Sequence, residues 1–152
     1  MDISVFFKPV DLPVISEGCV YQPNQLGFTI KKFEEAENFP SVEECRIAII
    51  GVKEGRGALS NETCNEGPDV IRRHLYKLWG LGNIFQIVDL GNIEPGHRIE
   101  DTYYALSSTV EYLVKVNILP VIIGGGQDLT FANYRGYQNL EQLVNLVSVD
   151  AN

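Results

Sequence analysis

Residues Leu119-Pro120-Val121-Ile122-Ile123-Gly124-Gly125-Gly126-Gln127-Asp128 run from an apolar strand into a glycine turn. The β-branched run Val121, Ile122 and Ile123 suits a strand covered on both faces of a parallel sheet. Pro120 costs little near the start of such a strand. Gly124, Gly125 and Gly126 remove every Cβ at the carboxyl end, so the backbone can turn sharply and approach another group closely. Gln127, Asp128 and Thr130 follow where a helix begins. In open α/β sheets, ligands sit outside the carboxyl ends of the strands, where a helix N-terminus presents unpaired N–H groups and a partial positive charge. The stretch marks Gln127 and Asp128, with the Gly124 to Gly126 loop, as candidate ligand-contacting residues.

On either side the pattern is regular from Arg46 onward. Ile47 to Val52 is a buried strand, and Lys53 to Gly67 after it is a long polar and glycine-rich loop, of the length at which loops are often functional. Its Gly55-Arg56-Gly57 lacks the third glycine of a dinucleotide fingerprint, and no Lys with Ser or Thr follows Gly67 as a phosphate loop requires. Pro68 suits the first turn of a helix, Asp69 complements its dipole, and Val70, Ile71, Leu75, Leu78 and Trp79 form an apolar stripe up to a stop at Gly80. His74 falls beside that stripe as a packing or surface residue, and His97 reads as a loop residue. A second strand spans Ile84 to Leu90, closed by Gly91. Ile99, Tyr103, Leu106, Val110 and Leu113 then place a helix over Ile99 to Val116, with Asn117 able to end it. After the glycine turn, a short helix near Leu129 to Tyr137 carries Phe131, Tyr134 and Tyr137, expected in the core. Leu143 to Val149 is the last strand, before Asp150-Ala151-Asn152.

Residues 1 to 45 are less regular. Pro9, Pro13, Pro23 and Pro40 divide short apolar pieces such as Ile3 to Phe7 and Leu26 to Ile30, while Glu34, Glu35 and Glu37 suit a short exposed helix. We read this segment as an N-terminal arm or cover over the sheet. Alternation of strands and helices with crossover-length connections implies an α/β fold, a three-layer sandwich with a mainly parallel sheet. Without repeats or low-complexity tracts, residues 1 to 152 form one domain, of which 46 to 152 read βαβαβαβ.

Length and composition bound the function. The 152 residues are 45% hydrophobic, enough for a sizeable core. A net charge of −8 argues against nucleic acid, whose phosphates require clustered basic residues. Cys19, Cys45 and Cys64 are odd in number and widely spaced, which fits neither a disulfide framework nor a zinc site and suits a reducing cytoplasm. No basic run precedes the first apolar residues as in a signal peptide, and no apolar run reaches membrane-spanning length.

Three places together resemble the arginase, agmatinase and formimidoylglutamase family of ureohydrolases. Ile49-Ile50-Gly51-Val52, a glycine-containing loop, and Glu66-Gly67-Pro68-Asp69-Val70-Ile71-Arg72 resemble the family's first strand, loop and Gly-Pro-x-x-Ile-Arg helix start. Gly124-Gly125-Gly126-Gln127-Asp128 falls where the family has Gly-Gly-Asp-His or Gly-Gly-Gly-His, and Ser148-Val149-Asp150-Ala151-Asn152 where it has Asp-Ala-His-x-Asp. The resemblance implies the N-terminal part of an arginase-like fold. It implies two Mn²⁺ ions at the carboxyl ends of the strands, activating a water toward the carbon of a guanidine or formimino group. It places metal ligands at positions 127, 150 and 152.

This sequence departs from the family at those positions. Gln127 and Asn152 stand in place of histidines, and a neutral amide oxygen is a poorer transition-metal ligand than imidazole, so Asp150 alone keeps full strength. The family's later Asp-x-Asp motif has no counterpart here, and Asn152 falls in mid-motif. The expectations are therefore a truncated and metal-site-degenerate relative of Mn-dependent C–N hydrolases, inactive as this chain and possessing no bound Mn²⁺; a non-catalytic assembly or regulatory homologue; or an α/β module binding a small anion through N–H groups of the Gly124 to Gln127 turn. In the family the partner is a small amidine or guanidine. Sheet edges left open in this chain further suggest self-association.

Overall fold

The computed structural model describes residues 1–80, 86–140 and 143–149. Chain order is β1 (Phe7–Lys8), α1 (Leu12–Ser16), α2 (Leu26–Thr29), β2 (Lys31–Lys32), β3 (Ile47–Val52), α3 (Gly67–Leu75), β4 (Ile87–Ile93), α4 (Ile99–Lys115), β5 (Leu119–Ile123) and α5 (Leu129–Gln138), with 3-10 turns at Ser4–Phe6 and Glu62–Glu66. Parallel pairing joins β3 to β4 on one side and to β5 on the other. Along the outer edge of β4, β2 pairs in parallel with its first half and β1 antiparallel with its second half.

Side chains alternate across the central strand, and each set founds a layer. Ala48, Ile50 and Val52 face Leu106, Val110 and Leu113 of α4 with Leu129 and Ala132 of α5. Ile49 faces the other way, into a cluster with Val10, Ile15, Leu26, Ile30, Tyr76 and Ile123 under α1 to α3. Helices therefore cover both faces of a mostly parallel sheet, an α/β three-layer sandwich. Each fully buried aliphatic side chain contributes about 1.5–3 kcal/mol.

Several elements differ from the sequence reading, each for a local reason. Segment 1 to 45 does more than lie over the sheet: it supplies β1 and β2 and buries Ile3, Phe7 and Phe33 in the α4–α5 core. Glu34, Glu35 and Glu37 form no helix. The β4 strand continues through Gly91, whose φ of 85° admits a bulge; Ile49 pairs with Asp89 but Gly51 with Asn92. The first residues assigned to this strand, Ile84 and Phe85, lie outside the described residues. Helix α3 stops at Leu75, not Gly80, because the following backbone pairs elsewhere: Leu26 and Gly27 N–H donate to the carbonyls of Leu78 and Tyr76, and Gly80 N–H to Asn24.

The stripes of α3 and α5 also differ from that expectation. Val70, Ile71, Leu78 and Trp79 are exposed, and α3 instead buries Pro68 and Arg72. On α5, Phe131 and Tyr134 are exposed while Leu129, Ala132 and Gly136 face inward; Tyr137 is the one aromatic of the three partly packed on the core. Leu119 and Val121 leave one face of β5 open, so that strand is not covered on both sides. Leu143 to Val149 adopts no strand, and Leu146 and Val147 are 68% and 83% exposed.

Candidate functional site at the carboxyl ends of the strands

The glycine turn after β5 crosses the end of β3. Gly125 N–H donates to Val52 O at 3.2 Å and Gly126 N–H to Glu54 O at 2.8 Å. A Cβ on Gly125 would lie 2.1 Å from the Glu54 carbonyl, so glycine is what permits this approach. These bonds engage two of the N–H groups that the turn could offer an anion. The first turn of α5 is similarly occupied, since Leu129, Thr130 and Phe131 N–H donate to the carbonyls of Gly126, Gln127 and Asp128. Two of the backbone donors in the Gly124 to Gln127 turn are thus engaged within the protein.

Glu54 organises the neighbouring loops. Its side chain is fully buried, and it accepts from Arg56 N–H at 2.9 Å, Arg56 Nε at 2.9 Å, Arg56 Nη2 at 2.5 Å and Thr102 Oγ1 at 2.9 Å. Arg56 continues to the carbonyls of Gly96 and His97, and Thr102 accepts Gly96 N–H. Burial opposes the Glu54 charge, but the Arg56 and Thr102 hydrogen bonds outweigh it and hold the carboxyl below its ordinary value. One carboxylate and its own backbone carbonyl therefore tie together the end of β3, the loop before α4 and the turn after β5.

Asp128 stands against α4 at the start of α5. Its Oδ2 accepts the Tyr103 hydroxyl at 2.5 Å, while a Cβ on Gly57 would meet its Cγ at 2.3 Å. Its Oδ1 is buried without a hydrogen-bond partner. Burial, then the Asp128 hydrogen bond and charge, push Tyr103 up to about 12. Asp128 is a link between α4, α5 and the β3 loop.

Gln127 is exposed beside a cavity of about 450 Å³ lined by Ala58, Leu59, Asn61, Cys64 and the glycines at 57, 125 and 126. Asp150 and Asn152, the other two expected metal positions, lie outside the described residues. Gln127 supplies an amide, while the nearby carboxylates of Glu54 and Asp128 are engaged with Arg56, Thr102 and Tyr103. His74 is exposed on α3, and His97 meets Arg56 through its backbone carbonyl. Among the described residues no three His, Cys, Asp or Glu side chains are grouped to hold an ion. The described residues alone, one amide and two carboxylates hydrogen-bonded within the protein, therefore do not make up a donor set for a pair of Mn²⁺ ions.

A second polar centre lies beneath α3. Arg72 and Asp89 are fully buried and joined by two hydrogen bonds of 2.7 Å, with Arg72 Nη1 on Asn92 Oδ1 at 2.6 Å and Tyr76 OH on Asp89 at 2.8 Å. A Cβ on Gly51 would lie 2.0 Å from Asn92 Oδ1. Sequence reading missed this cluster and the Glu54 network. The available signals were Glu54 and Arg56 just past an apolar strand, and Arg72 within the helix-start motif.

Residues 45–151 match the model of the arginase family. Formimidoylglutamase of Streptococcus gordonii is 33% identical over 122 residues, covering 75% of this chain and 37% of the relative. The chain thus spans little more than a third of that relative's length. Among solved structures, oxidised Trypanosoma cruzi formiminoglutamase with Mn²⁺ is similar with a TM-score of 0.57 and 25% identity, covering 65% of this chain and 38% of that one. Bacillus subtilis formimidoylglutamase is similar in fold, with a TM-score of 0.65 and 15% identity, covering 82% of this chain and 41% of that one. Among the described residues no helix is long and apolar enough to cross a membrane.

Proposed function

This chain belongs to the arginase family, and from that premise we propose that it is a formimidoylglutamase-like member with a degenerate metal position, inactive as this chain toward formimino and guanidino C–N bonds. The observation that carries the proposal is Gln127, an amide at the carboxyl-end cavity where the family places an imidazole, beside Glu54, whose carboxylate is fully engaged with Arg56 and Thr102. Manganese accompanies the T. cruzi relative. In this chain the proposal assigns it no role, and no step of hydrolysis is drawn through it. A non-catalytic role in assembly or regulation is the reading that follows, supported by a carboxyl end held together by Glu54, Arg56 and Thr102. The free state of all three cysteines suits a reducing compartment such as the cytoplasm.

The test is a calorimetric Mn²⁺ titration of the natural chain, an Asp150→Ala variant, and a double variant Gln127→His with Asn152→His. Expected is no saturable heat from the natural chain and no hydrolysis of formimidoylglutamate, with binding gained only in the double variant. Micromolar binding by the natural chain that Asp150→Ala abolishes would instead make the amides working ligands and revive the hydrolase.

A further inference from the structure

A separate cavity of about 400 Å³ lies where the loop after β3, the 3-10 turn at Glu62–Glu66 and the loop after β4 meet. Lys53, Glu54, Gly55, Arg56, Asn65 and Pro95 line it, and it shares no lining residue with the cavity beside Gln127. Its two cations stand out in a chain of net charge −8. Each is paired with a carboxylate: Lys53 Nζ with Asp69 at 2.6 Å, and Arg56 Nη2 with Glu54 at 2.5 Å. In both pairs the cation is the more exposed partner, 25% against 13% for Lys53 and Asp69, and 43% against 0% for Arg56 and Glu54. The formal charges cancel, but the carboxylates lie on the buried side and the ammonium and guanidinium on the accessible side.

We propose that this cavity binds a dianionic phosphate group, as the free anion or as the head of a small ester. Arginine carries five N–H donors and lysine three. Arg56 gives Nε and Nη2 to the two Glu54 oxygens, its second Nη2 hydrogen to Gly96 O and one Nη1 hydrogen to His97 O. One Nη1 hydrogen is left, and Lys53 keeps two after its bond to Asp69. Asn65 is exposed, its side chain has no hydrogen-bond partner among the described residues, and it adds an amide. The guanidinium fork that grips a carboxylate bidentately is therefore already filled by Glu54. What remains is single donors from three positions along the chain, which suit the several oxygens of a phosphate better than the two of a carboxylate. Glu66, Glu94, Glu100 and Asp101 belong to neighbouring segments, but none lines the cavity. Their repulsion and that of the overall charge of −8 act through solvent and fade beyond about 8 Å at physiological salt, while contacts inside the cavity are kept.

Inorganic phosphate, methyl phosphate and acetate are the probes, titrated at neutral pH and constant ionic strength into the isotopically labelled chain. Backbone amides of Gly55, Arg56 and Asn65 report binding by NMR. Expected is saturable binding of phosphate or its ester about tenfold tighter than of acetate, with a melting temperature that rises with phosphate concentration. Tighter binding of the ester assigns the site to a phosphorylated small molecule, and tighter binding of inorganic phosphate to the free anion; both uphold the proposal. Asn65→Asp, at an exposed position, should weaken binding about tenfold, while Gln138→Glu, the same change of charge outside the cavity, should leave it within about twofold. Lys53→Gln combined with Asp69→Asn leaves net charge unchanged and no carboxylate unpaired, and should abolish binding. Absence of saturation by either phosphate overturns the proposal, as does acetate binding equally well. Equal effects of Asn65→Asp and Gln138→Glu, or unchanged binding in the double variant, also overturn it by placing the anion elsewhere.

Discussion

Arg72 carries its charge into the interior because every side of its guanidinium is met: Asp89 on two nitrogens, Asn92 on the third and the Gly91 carbonyl beside them. Burial opposes the charge, and Asp89 reverses that effect, so Arg72 is held above its ordinary value. Asp89→Asn keeps the shape and leaves the cation uncompensated, so urea unfolding should register a loss of about 3–5 kcal/mol. Glu54 gives a pH signature. Its folded-state value lies below the ordinary 4.5, so its contribution is full above 4.5 and is lost as pH falls through the lower folded value. Stability of the natural chain should therefore fall more steeply with acid than that of Glu54→Gln, which is weaker at neutral pH; parallel denaturation curves down the acid range would contradict this. Neither residue stood out in the sequence as a buried group, because hydrophobic periodicity marks apolar positions and is silent on buried charges, whether the partner lies 17 residues away as for Arg72 or two as for Glu54. Gln127 is marked in the sequence by the glycine turn before it, and the structure puts it beside the cavity at the end of that turn.

At the scale of elements, legibility followed the number of constraints that coincide. The bounds of α4 were readable almost to the residue because five apolar positions repeat and Asn117, with φ of 60°, ends the helix in the left-handed region. The stripe on α3 misled because Val70 and Ile71 are apolar yet exposed, while the segment after Leu75 is bound to residues 24 to 27. Gly91 reads as a terminator, but in the sheet it is a bulge, and periodicity cannot distinguish the two. Gly136 on α5 offers a test of packing against propensity. Alanine in a helix interior normally gains about 1 kcal/mol over glycine, yet here its Cβ would lie 2.6 Å from Val110 Cβ and 2.8 Å from Ser107 O. Overpacking at about 1–3 kcal/mol wins. Gly136→Ala should lower the melting temperature, and a rise would show that the helix pair separates freely.

For the whole molecule, the sheet's two sides are unequally finished. β1 and β2 close the outer edge of β4, whereas β5 pairs on one side among the described residues and exposes Leu119 and Val121, 57% and 40%. Leu146 and Val147 add apolar surface that finds no cover among the described residues. Open edges and such patches favour association, against a net charge of −8 that opposes it. Sedimentation velocity should show oligomers that grow with protein concentration and with salt, and Leu146→Lys with Val147→Lys should suppress them; a monomer across the range would exclude this surface as an adhesive. The layered α/β order was legible because each crossover fixes its neighbours, but which edge stays open depends on pairings that no single segment encodes. The bonds from Gly125 and Gly126 to the end of β3, with the Glu54 network, hold the site's framework using protein atoms alone. Foundation and furnishing are then separate: position 127 can be rewritten at a cost of about 1 kcal/mol or less, as for other exposed positions, leaving this chain a frame on which binding chemistry can change while the architecture stands.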